Sequence, residues 1–98
     1  MQKDLYYANL YSLYGGLLSS QTSDVTDMYY LLDLSLSEIA DQKGVTRQSV
    51  ADALKKARAK LDKFENALGL YALRKNLFEF SETLGEEEKK KLTAILEK

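Results

Sequence analysis

Six apolar residues in the middle of the chain are spaced alternately four and three positions apart. They are Val50, Leu54, Ala57, Leu61, Phe64 and Leu68. This spacing places all six side chains on one face of a single α-helix of about five turns. The chain has only 98 residues and no proline, so a helix of this length must dominate the packing. The sequence therefore predicts an all-α fold with one main hydrophobic core.

The sequence before this long helix contains the start and the end of a shorter one. Ser35 and Glu38 have the spacing of a capping box, in which each side chain bonds the backbone N–H of the other residue. The shorter helix then begins at Leu36. We expect it to end at Gly44, because glycine readily adopts the positive φ that commonly closes a helix.

A hydroxyl residue follows this glycine and predicts the start of the long helix. Thr46 can cap a helix that begins at Arg47. Two helices joined by a tight glycine turn form a helix-turn-helix motif. We predict that the two helices meet at Ile39, Ala40, Gly44, Val45, Val50 and Leu54, with Val45 filling the corner.

Apolar spacing also predicts two helices before the motif. The first ends near Leu18, although the Gly15-Gly16 pair makes its last turn unfavourable. The second follows the polar residues 19–24, which offer several N-cap candidates. Their apolar positions are Tyr7, Leu10, Tyr14 and Leu17 in the first helix, and Val25, Met28, Tyr29 and Leu32 in the second.

Gly69 predicts a break after the long helix. An apolar cluster and a last amphipathic helix follow, and the block EEEKKK at residues 86–91 is expected to face solvent. The apolar positions are Leu73, Leu77, Phe78, Phe80, Leu92, Ile95 and Leu96. We predict a helix-turn-helix domain of three or four helices in residues 1–68 and a C-terminal helical extension in residues 69–98.

Composition argues against several kinds of chemistry. The chain has no cysteine and no histidine, which removes disulfides, zinc-finger sites, thiol nucleophiles and imidazole acid–base catalysis. Carboxylate pairs such as Asp24 and Asp27 lack the basic or polar companions of a hydrolytic site. We therefore expect no enzyme activity, no metal ion and no cofactor.

The N-terminal residues 1–10 contain no basic stretch followed by a long apolar run, and apolar runs elsewhere are only a few residues long. Secretory signals and membrane-spanning helices need such runs. We expect a protein of the cytoplasm that does not insert into a membrane.

Positive charge is concentrated in one part of a chain whose overall net charge is −1. Residues 43–63 contain seven cations and two anions, a local net charge of +5. Clusters of this kind contact nucleic-acid phosphates, although they also occur on ordinary solvated helix faces. The candidate phosphate contacts on the long helix are Lys55, Lys56, Arg58 and Lys60.

The stretch YYLLDLSLSEIADQKGVTRQSV, residues 29–50, resembles region four of bacterial sigma factors. It is more closely similar to the YlxM family of small helix-turn-helix proteins, and this similarity covers residues 5–70. Members of that family are usually encoded beside the signal recognition particle GTPases. The resemblance implies a DNA-binding-like protein that acts in, or regulates, the signal recognition particle pathway.

The sigma-factor resemblance also implies four residues that face base edges in the major groove: Arg47, Gln48, Ala51 and Asp52. Arginine suits guanine and glutamine suits adenine. Ala51 stands where a basic residue is common, and the Asp52 anion would be repelled by phosphates, although it could accept from a cytosine amino group.

Three functions remain open from the sequence. The chain could be a regulator that binds duplex DNA with sequence preference. It could instead be an accessory factor that binds the RNA or a protein of the signal recognition particle. In the third alternative the motif is only a scaffold for protein contacts. The tyrosines at positions 6, 7, 11, 14, 29 and 30 could stack on unpaired bases, but we expect them to pack, with hydroxyls at the surface.

The apolar stripe of the long helix extends further than the motif requires. Phe64 and Leu68 lie beyond the part that closes the helix-turn-helix core, and an apolar extension follows. Helix one and the C-terminal helix could cover this surface within one chain. We expect a homodimer, because twofold pairing would also present two recognition helices to DNA.

Overall fold

A computed structural model describes residues 5–97, and every regular element in that range is helical. In chain order the helices are α1 (Leu5–Tyr14), a short 3₁₀ turn (Gly15–Leu17), α2 (Ser20–Tyr30), α3 (Leu36–Lys43), α4 (Arg47–Leu68), α5 (Leu70–Ser81) and α6 (Glu86–Leu96). The predicted all-α helix-turn-helix fold is confirmed. The prediction about an N-terminal leader rests partly on residues 1–4, which lie outside the described residues.

The contacts of the chain group it into two compact units, residues 1–68 and residues 69–98. In the first unit, α4 packs against α1, α2 and α3. In the second, α5 packs against α6. The hydrophobic core around the motif lies in the first unit.

Helix α1 ends earlier than the apolar spacing predicts. It stops at Tyr14, and the 3₁₀ turn follows, closed by a 3.1 Å bond from the Leu18 N–H to the Gly15 carbonyl. A Cβ atom at Gly15 would lie only 2.9 Å from the Tyr11 ring. A side chain at position 15 would therefore clash with Tyr11. Leu17, which was expected on the buried face of α1, lies in the 3₁₀ turn and is exposed.

Helix α2 is also shorter than predicted. Ser19 caps it by accepting from the Thr22 N–H, and the helix ends at Tyr30. Leu32 lies beyond the helix and is 64% exposed, so it does not join the buried face. Asp33 takes a positive φ of 55° in the connecting turn, a conformation that aspartate tolerates better than most residues.

The predicted capping chemistry of the motif is present. Ser35 Oγ accepts from the Glu38 N–H over 3.1 Å, and the Glu38 carboxylate accepts from the Ser35 N–H over 3.0 Å. Gly44 closes α3 with a φ of 66°. Thr46 Oγ1 accepts from the Ser49 N–H over 3.0 Å and caps α4.

The buried core of the motif contains most of the residues that the sequence predicts. Val25 of α2 joins the expected contacts from α3 and α4, and the cluster consists of Val25, Ile39, Ala40, Val50 and Leu54. Val45 is the exception, because 46% of it is exposed. Its backbone N–H donates to the Ala40 carbonyl over 3.0 Å, so the turn is closed by the main chain and the Val45 side chain does not fill the corner.

Helix α1 packs along the C-terminal half of α4. The Tyr7 hydroxyl donates to Asp62 over 2.9 Å, and the Tyr14 hydroxyl donates to Glu65 over 2.6 Å. The rings of Tyr14 and Phe64 lie 6.0 Å apart. Phe64 is therefore half-buried against α1, which is one of the two partners that the sequence left open for it.

The second unit is a helical hairpin. Ser81 is buried where α5 ends and donates to the Phe78 carbonyl over 2.5 Å. Arg74 of α5 donates to the carbonyl of Leu96 over 2.5 Å and joins the two helices. Lys89 in the EEEKKK block forms a 3.0 Å ion pair with Glu82. Several large apolar side chains of this unit are exposed: Leu73, Phe80 and Ile95.

Candidate nucleic-acid interface

Helix α4 has a buried face and an exposed face that follow from its sequence. Val50, Leu54, Ala57 and Leu61 are buried. On the other side of the helix are exposed polar and basic residues: Gln48, Asp52, Lys55, Lys56, Lys60 and Lys63. We call this set the outer face of α4. In helix-turn-helix proteins that bind DNA, the exposed face of the motif's second helix is the side that enters the major groove.

The lysines form a row along the outer face. Lys55, Lys56, Lys60 and Lys63 are all exposed, and they extend over more than two turns of the helix. Long ammonium side chains at these positions can reach separate phosphates. Lys56 also borders a shallow depression that contains Gln21 and Thr22 from the first turn of α2.

Gln48 and Asp52 are joined in the first turns of the outer face. The Gln48 side-chain nitrogen Nε2 donates to the Asp52 oxygen Oδ1 over 3.0 Å. Both side chains are exposed. Two of the four residues implied by the sigma-factor resemblance are therefore directly bonded, and Asp52 orients the Gln48 amide.

Arg47 and Ala51 lie at the edge of the outer face. Arg47 is exposed and borders a depression that also contains Asp33 and Glu38. The depression beside Arg47 therefore contains two carboxylates, whereas the one beside Lys56 contains a single carboxylate, that of Asp52. Ala51 is half-buried, and its methyl group can offer only an apolar contact, such as one to a thymine methyl group.

Arg58 is separated from the lysine row. It is half-buried, and its Nε donates to the Tyr30 hydroxyl over 3.1 Å. Its guanidinium carbon lies 5.9 Å from the centre of the Tyr7 ring and 5.8 Å from that of Tyr29. These contacts hold α4 against α1 and α2, and cation–π attraction to the rings stabilises them.

The sequence contains a signal for this placement that charge alone does not reveal. Arg58 follows Leu54 by four residues and precedes Leu61 by three, so it adjoins the apolar stripe of α4. The tyrosines that meet it are the aromatic residues that we expected to pack.

Three tyrosine hydroxyls of α1 bond to carboxylates of neighbouring helices. Besides the bonds of Tyr7 and Tyr14 to α4, the Tyr11 hydroxyl donates to Asp27 of α2. Burial, together with the bond to Asp27, raises the pKa of Tyr11 from 10.0 to about 12. The bonds of Tyr7 and Tyr14 join α1 to α4, and the bond of Tyr11 joins α1 to α2. The expectation that the tyrosines pack agrees with this arrangement.

Within residues 5–97, no group of three or more acidic, cysteine or histidine residues could hold a metal ion. None of the helices in that range is long and apolar enough to cross a membrane.

The whole chain, residues 1–98, matches the model of the UPF0122 family of YlxM/p13-like helix-turn-helix proteins. The chain belongs to the UPF0122 family. Family membership, the capped motif and the all-α fold support nucleic-acid binding in general. The helix-turn-helix family and the all-α fold also point to a non-enzymatic binding protein.

The chain is also similar in sequence to individual members of the family. The chain is 37% identical to the UPF0122 protein YlxM of Bacillus subtilis (strain 168) over 93 residues, which are 90% of this chain and 84% of that one. It is 38% identical over 93 residues to a UPF0122 protein of Bacillus velezensis, with the same coverage of 90% and 84%.

A UPF0122 protein of Thermoanaerobacter sp. (strain X514) is 44% identical to the chain over 66 residues. These residues are 67% of this chain and 56% of that relative. The match thus spans little more than half of the relative's length.

Proposed function

We propose that this UPF0122 protein binds duplex DNA through the outer face of α4. The observation that carries this proposal is the coincidence, on one exposed helix face, of hydrogen-bonding side chains in the first turns and four lysines beyond them. Side chains near the start of a recognition helix contact base edges, and the positive charge that follows contacts phosphates.

The roles of the individual residues follow from their positions. Arg47 and Gln48 begin the helix and are exposed, so they are the base-reading candidates, with Ala51 and Asp52 one turn further along. Lys55, Lys56 and Lys60 bind phosphates and supply affinity without sequence preference. Arg58 acts indirectly, by holding α4 against Tyr30.

The biological role that we propose is regulation of the signal recognition particle pathway, or an accessory role in it, in the cytoplasm. The similarity to the YlxM family supports this role, because its members are usually encoded beside the signal recognition particle GTPases. A DNA-binding member would act on transcription of those genes or related ones.

We also propose that the protein acts as a homodimer. Leu68 of the first unit is 65% exposed, and Leu73, Phe80 and Ile95 of the second unit are each more than half exposed. Side chains of this size on one small protein favour association with another surface. Twofold pairing would supply the second recognition helix that helix-turn-helix proteins commonly use.

A second candidate function rests on the aromatic side chains around Arg58. The rings of Tyr6 and Tyr7 lie 5.2 Å apart, those of Tyr29 and Tyr30 lie 4.9 Å apart, and all four are partly exposed. Partly exposed aromatic rings beside an arginine suit unpaired RNA bases. In this alternative the protein binds the RNA, or a protein, of the signal recognition particle and does not read DNA.

One set of titrations separates the two functions. The purified chain is titrated with a randomised duplex DNA pool and with signal recognition particle RNA, each over a series of salt concentrations. Duplex binding predicts that Lys56→Ala lowers the slope of log affinity against log salt, while Tyr29→Leu changes it little. The matched control is Lys90→Ala on α6, which removes the same charge far along the chain. If RNA binds tightly and duplex DNA does not, the second candidate replaces the first.

A further inference from the structure

A hydrogen bond between two side chains lies where α4 would meet the base edges. Gln48 Nε2 donates to Asp52 Oδ1 over 3.0 Å, and both residues are exposed on the outer face of α4. They are four residues apart and therefore neighbours on the helix surface. The protein itself thus holds the Gln48 amide in one orientation.

The direction of this bond follows from the chemistry of the carboxylate. An ionised aspartate accepts hydrogen bonds and donates none. The nitrogen of the Gln48 amide must therefore face Asp52, because two oxygens placed there would repel each other. The amide oxygen Oε1 and the second N–H of Gln48 are left for another partner.

We propose that Asp52 is a positioning residue that makes Gln48 select adenine over guanine. This inference rests on the proposed docking of α4 in the major groove. Adenine presents there an acceptor, N7, beside a donor, the N6 amino group. The free oxygen and free N–H of Gln48 match this pair, and the bond to Asp52 is kept.

Guanine would require the opposite arrangement of the amide. Its edge presents two acceptors, N7 and O6. Gln48 could satisfy both only by turning both N–H groups toward the base, which breaks the bond to Asp52. If the bond is kept, the Gln48 oxygen faces a guanine acceptor. In both arrangements the complex with guanine has one hydrogen bond fewer than the complex with adenine, counting the bond between Gln48 and Asp52.

A direct base contact by Asp52 leads to a different pattern. The carboxylate could accept from a cytosine amino group. Gln48 and Asp52 would then each determine preference at a base pair of its own. A positioning residue instead changes the preference at the base pair that Gln48 reads, and at no other.

The test begins with selection of preferred sites from a randomised duplex DNA pool by the full chain. The base pair that Gln48 reads is the one whose preference is lost in Gln48→Ala. Dissociation constants are then measured for duplexes that differ only at that pair. For the wild type we expect adenine to be favoured over guanine by about tenfold or more.

Three variants at position 52 test the role of the carboxylate. Asp52→Ala should reduce the preference for adenine over guanine to within about threefold, and should raise affinity for every duplex because an anion near the phosphates is removed. Asp52→Asn should reduce the preference in the same way, because an amide can also donate to the Gln48 oxygen. Asp52→Glu, which keeps a carboxylate, should retain it.

A measurement on the protein without DNA gives an independent readout. The Gln48 side-chain amide signals in ¹⁵N NMR spectra should show restricted motion in the wild type and in Asp52→Glu, and free motion in Asp52→Ala. Free motion in the wild type would overturn the inference.

The results on DNA distinguish this inference from the proposed function. An unchanged preference for adenine in Asp52→Ala, or a loss of cytosine preference at another pair, would overturn the positioning role alone. Duplex binding that depends on salt but shows no preference at the Gln48 pair would also overturn it, and would leave duplex binding standing. A wild type that binds no duplex would overturn both.

Discussion

At the scale of single residues, the cations of α4 divide into groups with different surroundings. Arg47 borders a depression that contains Asp33 and Glu38, Arg58 donates to the Tyr30 hydroxyl, and the lysines of the outer face are exposed. From their charge alone, all of these residues would be predicted to contact phosphates in the same way. Their surroundings predict separate effects on binding.

Arg47 and Lys56 should differ in the kind of binding that they support. Arg47→Ala should weaken binding to the preferred duplex by about 1–3 kcal/mol and relax the preference at one base pair. Lys56→Ala should weaken binding to all duplexes about equally and lower the salt slope by about one. Fluorescence anisotropy titrations on preferred and scrambled duplexes at several salt concentrations measure both effects. Equal loss on both duplexes for Arg47→Ala would contradict a base-reading role.

Tyr11 should make the stability of the first unit sensitive to alkaline pH. Its pKa is raised from 10.0 to about 12 by burial and by the bond to Asp27. Folding therefore favours the neutral hydroxyl, and this contribution is fully present below pH 10 and is lost as the pH rises to about 12. Tyr11→Phe should lower the free energy of unfolding by about 1.5 kcal/mol at neutral pH.

Urea denaturation of the wild type and of Tyr11→Phe, from neutral pH to pH 12, measures this effect. The difference between the two proteins should shrink above pH 10. Titrations of lysines and of the other tyrosines are common to both proteins and cancel. Tyr6→Phe, at a more exposed ring, is the control. A difference that stays constant across this range would show that the hydroxyl of Tyr11 is not the group involved.

At the scale of the helices, local chemistry accounts for most of what the sequence predicts. The capping box of Ser35 and Glu38, the positive φ of Gly44 and the Thr46 cap depend on residues within a few positions of each other. Such features can be found in the sequence because the partners are close along the chain. The apolar spacing of α4 is predictable for the same reason.

The features that sequence reasoning missed depend on contacts between distant residues. Helix α1 ends at Tyr14 in a turn where Gly15 lies against the Tyr11 ring, and the pose of that ring depends on Asp27 in another helix. The partner of Arg58 is Tyr30, which is 28 positions away. The position of Arg58 beside the apolar stripe of α4 indicates that it is partly buried, but no local pattern indicates which aromatic residue it meets in the folded chain.

The contact between α3 and α4 should be intolerant of charge. Val50 is 1% exposed and belongs to the core cluster with Ile39. Val50→Asp would bury a carboxylate among apolar side chains. We expect the free energy of unfolding to fall by about 3 kcal/mol or more. Thermal denaturation followed by circular dichroism measures this loss. Ala59→Asp, at an exposed position of the same helix, is the control and should cost well under 1 kcal/mol.

At the scale of the whole molecule, the exposed apolar side chains bear on the proposed homodimer. Each unit exposes large apolar side chains, Leu68 in the first and Leu73 and Phe80 in the second. Phe64 is covered in part by Tyr14, so it is less available to a second copy than the sequence alone indicates. The exposed residues of α5 are therefore the better test of a dimer.

Analytical ultracentrifugation should show a dimer for the wild type at tens of micromolar and a monomer for the double variant Leu73→Lys and Phe80→Lys. Both residues are more than half exposed, so lysine at these positions should not disturb the fold. Asn76→Lys, at an exposed polar position of α5, adds a similar charge and should leave the dimer intact. A wild type that sediments as a monomer at that concentration would exclude the proposed dimer.

The central position of α4 has a consequence for how the first unit opens. Helices α1, α2 and α3 each pack against α4, so separation of α4 would remove a packing partner from all three. Amide hydrogens near Leu54 and Leu61, both buried, should exchange with solvent only when the unit unfolds as a whole. Their exchange rate would then report the free energy of unfolding of the first unit. Any nucleic acid that binds the first unit in its folded state should slow these amides by the same factor, whichever face of that unit it contacts.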